Sequence, residues 1–264
     1  MKIMVLLKRT PDTETKINIS HDGTNLDHSQ TNFIINPYDE FAIEEAVLTK
    51  EKLGTGEVVV CSFGPAETKE AIMRALAMGG DRGLLLSNEG LEDLDSLTLA
   101  KILKEVVTSE APDLIFCGKQ GIDNDNMHLG TMLAELMGWP HVNVANKVSV
   151  DANGSAEVER EVEGGQVEVY SVKLPAVIGA NKALNNPRYT PIPAIIKAKR
   201  KPFDNKTVGD YGLDPSNLKS SVKVKTSNYQ YPPEKAAGKV LKDQPISAMV
   251  TELVELLQSE AKVL

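Results

Sequence analysis

Leu114-Ile115-Phe116-Cys117 runs directly into Gly118-Lys119-Gln120-Gly121-Ile122-Asp123-Asn124-Asp125-Asn126-Met127-His128-Leu129-Gly130. Four apolar residues without alternation read as a strand buried on both faces, and the polar loop after them leads into a helix over residues 128–137. Ligands of open α/β sheets bind at such places, outside the carboxyl end of a strand. The same unit recurs along the first two-thirds of the chain. Residues 2–8 predict a buried strand. Asn36-Pro37 opens a helix to Leu53, with Asp39 and Glu40 favourably placed for its dipole, an apolar stripe of Phe41, Ala42, Ala46 and Val47, and Gly54 as its stop. Residues 57–63 form the next strand, and Thr68 is expected to cap a helix that runs to Met78. Residues 82–86 make a short strand, and residues 95–110 a helix carrying Leu99, Ile102, Leu103 and Val106. The fold class is therefore α/β, a doubly wound and mostly parallel sheet flanked by helices.

After Pro140 the rhythm changes. Residues 142–150, 156–162 and 167–174 read as strands with turns at Asn153-Gly154 and Gly164-Gly165, an antiparallel extension followed by one more buried strand at 176–180. A polar stretch then leads to Pro191-Ile192-Pro193 and the basic tract 197–201. Residues 202–240, rich in Pro, Gly, Ser and Asn, are expected to form an extended arm. A final helix places Ile246, Met249, Val250, Leu253, Val254, Leu256 and Leu257 on one face. The division is 1–201 for an α/β domain and 202–264 for the arm and helix.

The chain has 264 residues, 41% hydrophobic and 25% charged, ordinary globular composition. Its net charge of −8 argues against sequence-independent nucleic-acid binding, which rests on clustered Lys and Arg. No run of 18 apolar residues suggests a membrane span, and the first residues lack the features of a signal peptide, so a soluble intracellular protein is expected. Two cysteines make neither a CxxC pair nor a four-thiolate site. His21, His28, His128 and His141 show no metal spacing, and there is no G-x-S-x-G elbow or Walker A loop. Gly54-Thr55-Gly56 starts like a dinucleotide fingerprint but precedes a strand instead of following one. A binding or carrier role gains over catalysis.

The loop after Gly118 offers free N–H groups at a helix start, able to hold a phosphate; the plainer reading is a helix-capping loop. Asp123 and Asp125 would repel a phosphate unless turned elsewhere, which assigns the anion to the amides near residues 127–129. Asn36-Pro37-Tyr38-Asp39 reads as a pocket wall or as an ordinary helix start. In Arg188-Tyr189-Thr190-Pro191-Ile192-Pro193, prolines on both sides hold an isoleucine extended, a candidate anchor for a partner beside the basic tract.

Together these segments resemble the beta (small) subunit of electron transfer flavoproteins. The resemblance rests on Asn36-Pro37-Tyr38-Asp39, Ser62-Phe63-Gly64-Pro65-Ala66, Ala75-Leu76-Ala77-Met78-Gly79, Asp81-Arg82-Gly83, Gly118-Lys119-Gln120 with Ile122-Asp123, Val158-Glu159-Arg160-Glu161, Lys173-Leu174-Pro175-Ala176-Val177, Pro187-Arg188-Tyr189 and Lys197-Ala198-Lys199. It implies an adenine-nucleotide α-hydrolase-like fold and a heterodimer with an alpha subunit that holds most of the FAD. It further implies that this chain buries AMP, accepts electrons with its partner from dehydrogenases such as acyl-CoA dehydrogenases, and passes them to a quinone oxidoreductase. The setting would be bacterial cytoplasm, or the mitochondrial matrix in a eukaryote. The implied AMP positions are Leu6, Asn36, Pro37, Tyr38, Asp39, Phe63, Gly118, Gln120, Ile122, Asp123, Asn126, Met127, His128 and Leu129. Arg188, Tyr189 and Ile192 lie in the implied recognition loop, 184–196, with Ile192 where the family usually has Leu. The arm and last helix would wrap the alpha subunit.

Departures accompany the resemblance. Met127 and Leu129 replace small polar residues, and Thr13 stands where an aromatic lies on the flavin, leaving Tyr38 as the candidate for flavin contact. A bifurcating branch places a second FAD at the AMP position. A stand-alone adenine-nucleotide module and a nucleotide α-hydrolase or ligase are the rival classes. The second would require a phosphate-gripping loop that Lys8-Arg9-Thr10-Pro11-Asp12 does not offer.

Overall fold

Alternate residues of β1 (Lys2–Leu6) belong to two different cores. Ile3 and Val5 join Ala42, Ile43 and Val47 of α1 (Pro37–Leu53) and Ile72 and Leu76 of α2 (Thr68–Met78). Met4 and Leu6 join Ile102 and Val106 of α3 (Ser96–Glu110) and Leu133 of α4 (Leu129–Met137). A strand with helices on both faces has no polar side, which is why its sequence shows no alternation.

The computed structural model describes residues 1–151, 153–235 and 237–264. The remaining strands are β2 (Arg9–Pro11), β3 (Asn18–Ile19), β4 (Leu26–Asp27), β5 (Phe33–Ile35), β6 (Glu57–Gly64), β7 (Arg82–Ser87), β8 (Leu114–Gly118), β9 (His141–Val150), β10 (Ser155–Val162), β11 (Gln166–Lys173), β12 (Ala176–Ala180) and β13 (Phe203–Lys206). Eight of them join β1 in one nine-stranded sheet, in the order β11-β10-β9-β12-β8-β1-β6-β7-β13, while β2 pairs with β5 and β3 with β4. β1 pairs in parallel with β6 and β8; the ladders β9–β10 and β10–β11 are antiparallel. The chain steps outward from β1 to β6 and β7, then crosses back to set β8 on the other flank of β1. The direction of winding thus reverses between β1 and β8, the place where doubly wound sheets open a crevice.

Local chemistry sets the helix ends. α1 stops at Gly54, whose φ of 69° is left-handed, and the Asp95 carboxylate caps α3 by accepting the Thr98 N–H at 2.8 Å. The expected cap at Thr68 is corrected: Glu67 occupies the N-cap of α2, and Thr68 is its first residue, packed into Gly64. At the amino ends of the strands, Arg82 pairs with Glu57 at 3.1 Å, Glu110 at 2.5 Å and Asp204 at 3.1 Å, and Lys2 pairs with Glu110 at 3.1 Å.

Two further expectations are corrected. Residues 203–221 are not extended arm: β13 pairs in parallel with β7, a 3-10 turn follows at Val208–Tyr211, then α6 (Pro215–Ser221), and Val208 and Leu218 are buried in the α3–α4 core. β13 reads Phe-Asp-Asn-Lys because an edge strand packs on few neighbours and needs little apolar sequence. The chain divides into two compact units, Met1–Asn228 and Tyr229–Leu264. Pro191-Ile192-Pro193 is not extended either. Pro191 is the N-cap of α5 (Ile192–Ala198), and Pro193 sits in the first turn, where a missing N–H costs nothing. In the second unit, Tyr229–Leu264, α7 (Ile246–Ser259) leaves Ile246, Val250, Leu253 and Val254 exposed along one side.

Candidate functional site

Where β1 and β8 part, α1 begins, and its first turn is tied to the ends of both strands. Asn36, at the N-cap, donates from Nδ2 to the Gln120 carbonyl at 2.9 Å, and its Oδ1 accepts the Ile122 N–H at 3.2 Å. Asp39 is 4% exposed; its carboxylate accepts the Lys8 N–H at 2.7 Å and the Gly118 N–H at 2.8 Å. Burial pushes the Asp39 carboxyl up to about 7, opposed by the bonds from Lys8, Asn36 and Gly118. A Cβ on Gly118 would strike the Asp39 carboxylate and lie 2.7 Å from the Tyr38 Cβ, so glycine is what lets α1 approach β8.

The acids of the following loop point away from its far end. Lys8 Nζ pairs with Asp123 at 2.6 Å, and Gln120 Nε2 donates to Asp125 at 2.5 Å. Asp125 and Met127 take left-handed backbone, φ 51° and 55°. Aspartate tolerates that region; a methionine there stores on the order of 1 kcal/mol, a strain typical of ligand sites. The loop delivers the start of α4, where the N–H groups of Leu129, Gly130 and Thr131 lie in the first turn and have no intrahelical acceptor. A Cβ on Gly130 would lie 2.9 Å from Cys117 Sγ, and burial pushes that thiol up to about 12, which keeps it protonated at neutral pH.

These surfaces bound a cleft of about 850 Å³ at the carboxyl ends of β1, β6 and β8. Leu6, Asn36, Asp39, Phe63, Gly118, Gln120, Asn126, Met127, His128 and Leu129, all named from the sequence, are brought together in its lining. Pro37, Tyr38, Ile122 and Asp123 are not among its lining residues. Tyr38 backs onto Gly118 under the Lys119 ammonium, 4.9 Å from its ring centre, while Ile122 and Asp123 brace the loop through Asn36 and Lys8.

Sequence reasoning missed the opposite wall, made by Arg9, His28, Thr31 and Phe33 with Thr68 and Leu99. Arg9 lies three residues past the end of β1, and Phe33 three before Asn36, so proximity to two recognised element ends was the available signal. Thr68 Oγ1 is buried and has no partner among the described residues. A wall with such an orphaned hydroxyl, together with free helix amides, fits an oxygen-rich ligand such as a phosphorylated nucleoside.

Arg188, Tyr189 and Ile192 are not among the residues that line this cleft. The Arg188 guanidinium holds Glu44 at 2.9 Å and Glu51 at 2.8 Å, both on α1, and Asn185 donates to Glu45 and the Phe41 carbonyl. Arg188 thereby fastens the loop, whereas Tyr189 and Ile192 project from it, 86% and 70% exposed. Among the described residues no helix is long and apolar enough to cross a membrane, and no cluster of His, Cys, Asp and Glu could hold a metal ion.

Fold and cleft define a doubly wound α/β protein that presents a binding crevice at its switch point. Comparison with known proteins narrows this class. The family profile described as "Electron transfer flavoprotein domain" matches residues 24–210. The chain is 41% identical to electron transfer flavoprotein subunit beta of Bradyrhizobium diazoefficiens over 264 residues, covering 100% of both chains. It is 39% identical to the Bacillus subtilis protein of the same name over 265 residues, again 100% of both, and 36% identical to that of Mus musculus over 258 residues, 97% of this chain and 98% of the relative. The chain belongs to the electron transfer flavoprotein family, as a member of its beta-subunit line.

Proposed function

We propose that this chain is the small subunit of a heterodimeric electron carrier, that its cleft holds AMP, and that it helps enclose an FAD carried mainly by an alpha subunit. One arrangement carries the AMP reading. The first-turn amides of α4 have no acceptor within the helix, and the two acids of the loop before it, Asp123 and Asp125, are engaged by Lys8 and Gln120, which leaves those amides as the donors a phosphate would meet. When bound, FAD supplies the redox chemistry. The residues of this chain bind and orient: Asn36 and Asp39 set the loop, and Leu6, Phe63 and Leu129 supply apolar wall. The chain performs no bond-making of its own.

Electrons enter from flavin dehydrogenases, acyl-CoA dehydrogenases among them, and leave to a quinone oxidoreductase, with Tyr189 and Ile192 as the docking surface. The working compartment is the bacterial cytoplasm or the mitochondrial matrix. The cleft volume favours a second reading, since about 850 Å³ lies toward the upper end for small-molecule sites and suits a ligand larger than a mononucleotide. Co-purification with the large subunit, denaturation and mass analysis of the released nucleotides tests both readings. Equal FAD and AMP support the first; two FAD per heterodimer move the chain to the bifurcating branch; release of no nucleotide overturns both.

A further inference from the structure

Arg9 follows the end of β1 and sits over Phe33, its guanidinium carbon 3.7 Å from the ring centre, through the β2–β5 pair that joins the two residues' strands. It is partly buried and lines the cleft, yet its guanidinium has neither a hydrogen bond nor an ion pair among the described residues. The acids whose fields reach it, Glu67 and Glu70, belong to the N-cap and first turn of α2, on the β6 flank of β1. The α4 amides follow β8, on the other flank. The cleft therefore spans β1 with a main-chain anion site on one side and an unspent guanidinium on the other.

Stacking on an aromatic ring fixes the guanidinium plane and lowers the entropy lost when its donors engage, which suits a planar, multidentate contact to phosphate oxygens. We infer that Arg9 is a second anion-binding group of the cleft, distinct from the α4 amides, and that it takes a phosphate oxygen of a nucleotide. The inference rests on the nucleotide reading above. Two sources present this chemistry: a mononucleotide lying across β1, and the pyrophosphate of a dinucleotide carried by the partner subunit.

The test uses the full chain co-expressed with its large subunit and stripped of nucleotide, with Arg9→Gln and Arg9→Lys beside the wild type. Affinities for AMP, FAD and adenosine are measured by equilibrium dialysis, and melting temperature is followed in parallel. Removing a charged donor from a phosphate is expected to weaken binding about 10- to 100-fold, with adenosine affinity and melting temperature unchanged and Lys recovering part of the loss. A loss confined to AMP assigns Arg9 to the mononucleotide, and a loss confined to FAD assigns it to the dinucleotide. Unchanged affinity for both, or an equal loss for adenosine, overturns the inference. Failure of the wild type to bind any of the three overturns the nucleotide reading itself.

Discussion

The Asp39 carboxylate and the Gly118 amide, 79 residues apart in sequence, meet at 2.8 Å, and the second carboxylate oxygen takes the Lys8 amide. One buried acid thus holds the ends of β1 and β8 at the separation that opens the cleft. Asp39→Asn keeps the size but replaces one acceptor by an N–H donor facing another N–H. Denaturant unfolding should show a loss of about 1–3 kcal/mol, and the purified complex should retain less nucleotide. An unchanged midpoint with full nucleotide content would contradict the clamp.

The same residue makes stability depend on pH with a defined sign. Its carboxyl is pushed up to about 7 in the folded chain, well above the value of 3.8 expected in the unfolded one. Folded protein therefore binds the proton more tightly, and the stability this group contributes is full below about pH 4 and lost as pH rises toward 7. The difference between wild type and Asp39→Asn should fall across that window by up to roughly 1.4 kcal/mol per pH unit. Parallel stability profiles from pH 4 to 8 would rule this out.

Arg188 and Ile192 are neighbours in sequence with opposite duties. Arg188→Ala strands the Glu44 side chain, which is 4% exposed, and should cost about 2–3 kcal/mol in unfolding experiments. Ile192→Ala should leave the melting temperature and the flavin content intact while raising the KM for a partner dehydrogenase. Equal destabilisation by Ile192→Ala would mark it as core.

Residues 1–228 form a compact unit by themselves. A chain ending at Asn228 should fold cooperatively and yet fail to capture the large subunit, because the exposed stripe of α7 is gone. Leu253→Glu in the full chain should reproduce that loss without truncation, in pull-down and gel filtration alike. Capture at wild-type levels would remove α7 from the interface.

How much of this was legible beforehand varied with the physics of each part. Buried parallel strands such as Met4–Leu6 announce themselves, because both faces must be apolar and little else produces that run. Helix α1 was readable at both ends from Pro37 and Gly54, whose backbone preferences act locally. β13 was not, since Phe203–Lys206 is held by pairing to β7 and by the Asp204–Arg82 contact, neither of which leaves a periodic trace. The helical start at Ile192 was misread because Pro on both sides suggests extension, while Pro at a first turn is equally compatible with helix. In the cleft, the loop from Gly118 was found through its position after a strand. Arg9 and Phe33 went unseen because their meeting depends on the β2–β5 pairing, a contact between segments more than 20 residues apart.

The ion pairs that Arg82 makes with Glu57, Glu110 and Asp204, joined by Lys2, rivet one rim of the sheet, whereas the other rim keeps its amides and the Arg9 guanidinium unspent. Rigidity and receptivity are thereby housed at opposite ends of the same strands. A ligand held at the receptive rim would come and go, and substitutions there would retune its fit, without loosening the seam that keeps the strands in register.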